Sequence, residues 1–380
     1  MADKPSSIIA VVLLSIVGVF GLSTMPLTAG ALVEHLGFTA GQAGQIAALE
    51  IAGGALASIC AMFWIERVNW RLAAITAVIA VIVGNLLSLT QTEFAALATL
   101  RFLTGFFGMG TAFAVVIAVI RGTTDTDRNF AFTVAAQVAF SVIGLLLLPY
   151  AIESFGYKGL LAPLAALGAL LLLPMKWIPE RASIDLSAHQ AHVGGSILPA
   201  LIGLLVLLIW STGLGAIWTF AQLIGQAGGL TDIQAGQALA LSTGLAVSGA
   251  LVAAALGDKY GRALPVTIAL IMQAVMAMNL TGQMSWIVFA MSAAVFQIFW
   301  NLTGPYLMGT VVISDTGGKL SMLIPAAQTG GFFVGPAIAG SLMSGESLLP
   351  ANYIGAVCCV IALVLFLPLA LWMKREPSSV

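Results

Sequence analysis

Two ionisable residues interrupt long apolar stretches that otherwise carry no charge. Glu50 lies in AGQAGQIAALEIAGGALASICAMF (40–63) and Arg101 in FAALATLRFLTGFFGMGTAFAVV (94–116). A carboxyl group that passes between apolar and charged surroundings is suited to carrying a proton. A guanidinium offers a rigid fork of donors that can hold such a carboxylate or an anionic solute. Neither is tolerated cheaply in hydrocarbon, where insertion scales put a central charge at about 2.5–3.5 kcal/mol. Each therefore needs a partner, a water-filled cavity, or both.

The elements that must position them follow from composition. Of the 380 residues, 60% are hydrophobic and 8% charged, which excludes a soluble globular domain. Apolar runs of about 20 residues alternate with short polar punctuation, the length a helix needs to cross a bilayer. Backbone in lipid must satisfy its own hydrogen bonds, so the runs are helices. Twelve are expected, at 7–30, 41–63, 72–90, 95–120, 130–150, 159–177, 196–225, 234–256, 263–281, 285–313, 320–344 and 350–373. With the N-terminus inside, twelve of the fourteen basic residues fall on the cytoplasmic side, only Lys158 falls outside, and Arg101 lies within a span. That bias predicts a multi-pass protein of the inner membrane with both termini cytoplasmic. The first run is too long for a cleaved signal peptide and reads as a retained helix. Cys60, Cys358 and Cys359 lie inside spans and read as packing residues, with no disulfide framework.

The chain also repeats itself once. Residues 37–50, GFTAGQAGQIAALE, return 192 positions later as GLTDIQAGQALALS at 229–242. This implies two related halves, 1–177 and 196–380, joined by a cytoplasmic linker at 178–195. His189 and His192 in that linker read as solvated residues rather than metal ligands, because no third ligand is near. At the same offset Glu50 falls on Ser242 and Arg101 on Ala293, so the shared architecture demands neither charge. The second and fourth spans run in the same direction, and the two residues differ in depth by only about 6 Å at 1.5 Å per residue. A salt bridge between them, direct or through water, is geometrically reasonable. One reading makes the pair functional, with Glu50 the proton carrier and Arg101 its modulator or an anion site. The other makes it a permanent tie between two helices.

Two short motifs carry a family resemblance. Gly257-Asp258-Lys259-Tyr260-Gly261-Arg262 joins the second and third spans of the second half, and Glu66-Arg67-Val68-Asn69-Trp70-Arg71 is its degenerate counterpart in the first. Arg101 is followed by Gly105 and Gly108 in the fourth span. With twelve spans, a midpoint loop and both termini inside, the chain resembles the major facilitator superfamily. The resemblance implies an all-α membrane protein with 12 transmembrane helices in two pseudo-symmetric six-helix bundles. It also implies a conformational latch at Glu66, Arg67, Arg71, Asp258, Lys259 and Arg262, whose pairings are remade as the halves rock. The family's antiporter run, G-x-x-x-G-P in the fifth helix, is absent; a related run, Gly331 to Pro336, stands in the eleventh.

In that family the first, fourth, seventh and tenth helices line a central cavity. Here they carry Arg101, Trp218, Gln222, Gln297, Trp300 and Asn301, while Gln137 and Gln328 are related by the repeat in the fifth and eleventh. Aromatic walls, amides and one arginine suit a small amphipathic organic solute, a carboxylate among the candidates. The expected function is secondary active transport by alternating access, proton-coupled through Glu50 with Arg101. The alternatives are proton-driven efflux of lipophilic drugs or sugars, and an uncoupled facilitator in which Glu50–Arg101 is purely structural. The expected partners are the solute, protons and the lipid bilayer, with no nucleic acid and no cofactor, and a monomer is the default. No nucleophile–base spacing, metal cluster or phosphate-cradling loop points to an enzyme or an ATP-driven pump.

Overall fold

The computed structural model describes residues 4–181, 197–257, 259–315, 320–343 and 347–375. Twelve helices run through them, and the fold is all-α. We number them α1 (Pro5–Leu36), α2 (Ala40–Trp64), α3 (Trp70–Ser88), α4 (Phe94–Arg121), α5 (Thr126–Phe155), α6 (Lys158–Trp177), α7 (Leu198–Ala227), α8 (Asp232–Leu256), α9 (Ala263–Asn279), α10 (Trp286–Ser314), α11 (Ile324–Leu342) and α12 (Leu349–Arg375). Ten are long and apolar enough to cross a membrane by length and composition, and the shorter α9 and α11 complete the set. The chain divides into two compact units, Met1–Ala188 and His189–Val380. Most of the expected linker, with His189 and His192, lies outside the described residues.

Helix starts explain the repeat. At the head of α2, the Thr39 hydroxyl accepts the Gln42 backbone N–H at 3.2 Å, and the Gln42 side-chain oxygen accepts the Thr39 N–H at 3.0 Å. Thr231 and Gln234 make the same reciprocal pair at the head of α8, also at 3.2 and 3.0 Å. Such a capping box satisfies two donors that a helix N-terminus otherwise leaves open. Gly37 and Gly229 precede the boxes at φ 69° and 97°, in the left-handed region that glycine enters without strain.

Several spans differ at their ends from the sequence reading. α1 continues past Pro26 and Gly30 to Leu36, taking in Glu34 and His35, and ends where Gly37 turns left-handed. The final turn of α6 tightens over Leu173–Trp177, and α11 starts at Ile324 with Pro325 in its first turn, where the missing N–H of proline is not needed. Two helices depart from regular geometry. The ladder of α1 breaks at Val19 (φ −116°, ψ 7°), and α4 widens to a five-residue hydrogen-bond spacing over Thr104–Gly110. The Thr111 hydroxyl, donating to the Phe106 carbonyl five residues back at 3.1 Å, follows the same pitch.

Within each unit, glycines bring helices into backbone contact. A side chain on Gly105 would overlap the Glu50 carbonyl, and one on Gly53 the Phe102 carbonyl, so α2 and α4 touch without intervening side chains. In the second unit Gly249 of α8 lies against the Ile298 carbonyl of α10, and Gly331 and Gly335 of α11 lie against α7. In lipid, where apolar surface gains little by leaving the solvent, close contact of this kind is a main source of helix association. Gly105→Val therefore forces α2 and α4 apart, at about 1–3 kcal/mol or more for overpacking. Thermal unfolding in detergent should show the loss, and an unchanged midpoint would contradict the contact.

Candidate transport site

In the first unit the two intramembrane charges meet. Arg101 Nη1 donates to Glu50 Oε1 at 3.2 Å and to Asn85 Oδ1 at 3.0 Å, and Nη2 donates to Ser88 Oγ at 3.0 Å and Thr104 Oγ1 at 3.4 Å. Glu50 is 4% and Arg101 2% exposed. Ser88 and Thr104 spend their own hydroxyl protons on the Gly84 and Leu100 carbonyls, both at 2.7 Å, which turns their lone pairs toward the guanidinium. Gly84 makes room for this, because a side chain there would overlap Thr104 Oγ1. Among the described residues, Glu50 Oε2 receives no donor, and Arg101 Nε and Asn85 Nδ2 have no partner. Tyr157, buried in the turn between α5 and α6, feels both charges.

Sequence reasoning missed Asn85 and Ser88, and took Thr104 only for one of the polar groups on the cavity-lining helices. The available signal was spacing: Asn85 and Ser88, and Arg101 and Thr104, each stand three residues apart and so share a helix face.

The second unit does the corresponding job without charge. Gln297 of α10 donates through Nε2 to Ser242 Oγ at 2.7 Å, and its Oε1 accepts the Thr243 hydroxyl at 3.3 Å. Asn301, one turn on, donates to the Gln297 carbonyl at 3.1 Å. Beside them Trp300 packs edge-on to Trp218 of α7 (centroids 6.2 Å, 79°) and tilted on Phe332 of α11 (5.4 Å, 35°). Gln328 is one turn from Phe332, half-buried, with no side-chain hydrogen bond among the described residues; Gln137 in the first unit is in the same situation. Thus Trp218, Gln297, Trp300 and Asn301 come together. Gln222 does not join them. Its Nε2 donates to Asp232 at the head of α8, to the backbone oxygen at 3.0 Å and to Oδ1 at 3.2 Å, with Gln226 on the same carboxylate.

The candidate latch residues are scattered. Arg71 donates to the Ile178 carbonyl at 3.0 Å and pairs with Glu180 at 2.8 Å, tying α3 to the end of α6. Arg262 donates to the Tyr306 carbonyl at 3.3 Å, and Tyr306 Oη donates to the Gly257 carbonyl at 2.8 Å. Glu66, Arg67 and Lys259 are exposed, and Asp258 lies outside the described residues.

Twelve helices in two units, with a buried ion pair in one and an aromatic–amide cluster in the other, define a polytopic membrane protein of transporter type rather than an enzyme. The chain belongs to the Major Facilitator Superfamily, whose family model matches residues 9–315. Among solved structures it is similar to the xylose transporter XylE from E. coli, in a partially occluded inward-open conformation, at 14% identity (98% of each chain, TM-score 0.74). It is similar also to the nucleoside transporter NupG at 12% (98% of this chain, 100% of that one, 0.73) and to a peptide transporter POT at 12% (98% and 95%, 0.78). No curated protein matches it at the sequence level.

Removing one member of the ion pair strands the other in an apolar interior. Arg101→Gln should therefore lower stability by about 3–5 kcal/mol, whereas adding Glu50→Gln to it should recover much of the loss. Thermal unfolding of the parent, Arg101→Gln, Glu50→Gln and the double variant in detergent gives this cycle, and additive effects would mean that the two charges do not interact.

Proposed function

We propose that this chain is a secondary transporter of a small, ring-bearing organic solute, coupled to protons through Glu50 and working by alternating access of its two halves. The observation that carries the proposal is the Glu50–Arg101 pair, buried among α2, α3 and α4 with one carboxylate oxygen undonated. Such a carboxylate can accept a proton without dismantling its surroundings, because Asn85, Ser88 and Thr104 still hold the guanidinium. In this reading protonation neutralises Glu50, releases it from Arg101 and lets the loaded halves rock; deprotonation on the other side restores the pair. Arg71, Arg262 and their neighbours form pairings at the helix ends that are remade in the exchange, Asp258 among them. The membrane is the cytoplasmic one, both termini are inside, and a monomer suffices.

The solute class follows from the second unit. Trp218, Trp300 and Phe332 offer flat apolar faces, and Gln297 and Asn301 offer amides, a combination that suits an uncharged sugar or nucleoside-like ring. Arg101 has four partners already, which argues against a substrate carboxylate as its natural ligand. Transporters of xylose, nucleosides and peptides share the fold, and one of them is a D-xylose–proton symporter. The same four-fold satisfaction of Arg101 favours one second reading, a facilitator in which the pair is only a structural tie.

Proteoliposomes separate the two. One pH unit is worth about 1.36 kcal/mol, so one proton per solute supports about tenfold accumulation per unit, and Glu50→Gln should bring this down to simple equilibration while solute exchange persists. Undiminished gradient-driven uptake in Glu50→Gln would leave the facilitator reading. Trp300→Ala should raise KM for the transported ring compound by roughly tenfold, equivalent to about 1.4 kcal/mol; an unchanged KM would remove the aromatic cluster from the binding site.

A further inference from the structure

A donor with a poor acceptor stands beside an acceptor with no donor. Where α1 breaks at Val19, the Val19 N–H closes a tight turn on the Ile16 carbonyl at 3.1 Å. Two residues on, the Gly21 N–H donates to Met109 Sδ at 3.2 Å. A thioether is a weak acceptor, and Met109 is presented by the widened stretch of α4, Thr104–Gly110. Gly21 and Met109 are both buried. The Glu50 carboxyl lies at the same spot: a Cβ built on Gly21 would fall 3.0 Å from Met109 Sδ and 3.2 Å from Glu50 Cδ. Glu50 Oε1 is taken by Arg101, and Oε2 has no donor among the described residues.

We infer that the Gly21 amide is a second docking point for the Glu50 carboxyl group, which occupies it in exchange with Met109 Sδ. This rests on Glu50 being the proton carrier. In the ionised state the carboxylate faces Arg101 and the amide rests on sulfur, as in this structure. When a proton from solution binds Glu50, the ion pair is lost and the neutral carboxyl turns its carbonyl oxygen to the Gly21 N–H. Carbonyl oxygen is a stronger acceptor than thioether sulfur, so Met109 is displaced. No bond changes other than the O–H formed on Glu50. The broken turn of α1 thereby senses the charge on Glu50, and Gly21 and Met109 become positioning residues for the coupling step. Among the described residues, Arg101 from α4 bonds Glu50, and Tyr157, buried in the turn before α6, is a titratable group within electrostatic range of the pair. α1 presents the backbone of Gly21, and α3 presents the neutral Asn85 and Ser88 by way of Arg101.

The test varies the competing acceptor. Met109→Leu keeps the size and removes the sulfur, so the docked, protonated form gains and the pH midpoint of transport by the full-length protein should rise. Met109→Gln supplies a strong oxygen acceptor for the same N–H and should lower it. Each shift should amount to at most about one unit, the size a single hydrogen bond can impose on a proton equilibrium. Both shifts should vanish in the Glu50→Gln background. A second readout is independent of transport: hydrogen exchange of the α1 segment around Gly21 should be slower in Glu50→Gln than in the parent, because the glutamine carbonyl stays docked. If Glu50→Gln loses gradient coupling while the Met109 variants shift nothing, or shift the midpoint in the same direction, the docking inference is overturned and the proton-carrier reading survives. If Glu50→Gln keeps coupling, that reading fails, and hydrogen exchange alone judges the docking: unchanged protection overturns it, increased protection supports it.

Discussion

A guanidinium beneath lipid-facing helices has to have its donor directions answered by the protein, and the first unit is arranged around that demand. Arg101 draws on three helices, taking a carboxylate from α2, an amide and a hydroxyl from α3 and a hydroxyl from its own α4. Two of these acceptors require a small neighbour. Thr104 can point at Arg101 because Gly84 has no side chain, and Glu50 can sit opposite because Gly105 lets the two backbones touch. These glycines are not spare flexibility. They are the space that one charge and its partners require, and they bring three helices within reach of a single side chain.

The second unit holds the corresponding helices together with neutral groups. Gln297 binds Ser242 and Thr243, and Gly249 supplies the backbone contact that Gly53 and Gly105 supply in the first unit. A neutral amide has only two donor hydrogens to satisfy and tolerates hydrocarbon far better than a guanidinium. The wall around it can therefore be given over to Trp218, Trp300 and Phe332. The asymmetry between the units is one of chemistry: a buried charge pair in one, and an aromatic wall beside neutral amides in the other.

The fold was almost wholly legible, because apolar length decides what crosses a bilayer and basic residues mark the turns. Glu50 and Arg101 were legible for the opposite reason, their cost. Neutral polar partners carry no such mark. Asn85, Ser88 and Thr104 look like many other serines, threonines and amides in these spans, and only the three-dimensional arrangement picks them out. The clearest sequence signal, the repeated block around Thr39 and Thr231, is a pair of capping boxes and concerns where helices begin rather than what they bind. Gln222 was expected to face solute, but α7 runs on to Ala227, which carries the Gln222 and Gln226 amides to Asp232 at the head of α8. Arg71 was expected to take part in a latch between moving helices. In this structure its fork is held by the Ile178 carbonyl and Glu180 just past α6.

Irregular backbone inside a membrane survives only where protein answers the groups it frees. In the first unit both interruptions, at Val19 of α1 and over Thr104–Gly110 of α4, adjoin Glu50, through Gly21 and Gly105 respectively. Their counterparts by position in the second unit, α7 and α10, run unbroken over Leu198–Ala227 and Trp286–Ser314. A bundle needing only firm contacts would have no use for loosened ladders beside its most strongly bonded side chain. The two features make sense together under the proposed coupling, in which the interrupted turns adjust as the Glu50–Arg101 pair forms and breaks. In the second unit the helices that carry Trp218 and Trp300 stay continuous, α10 taking up Pro305 without a break in its helical run.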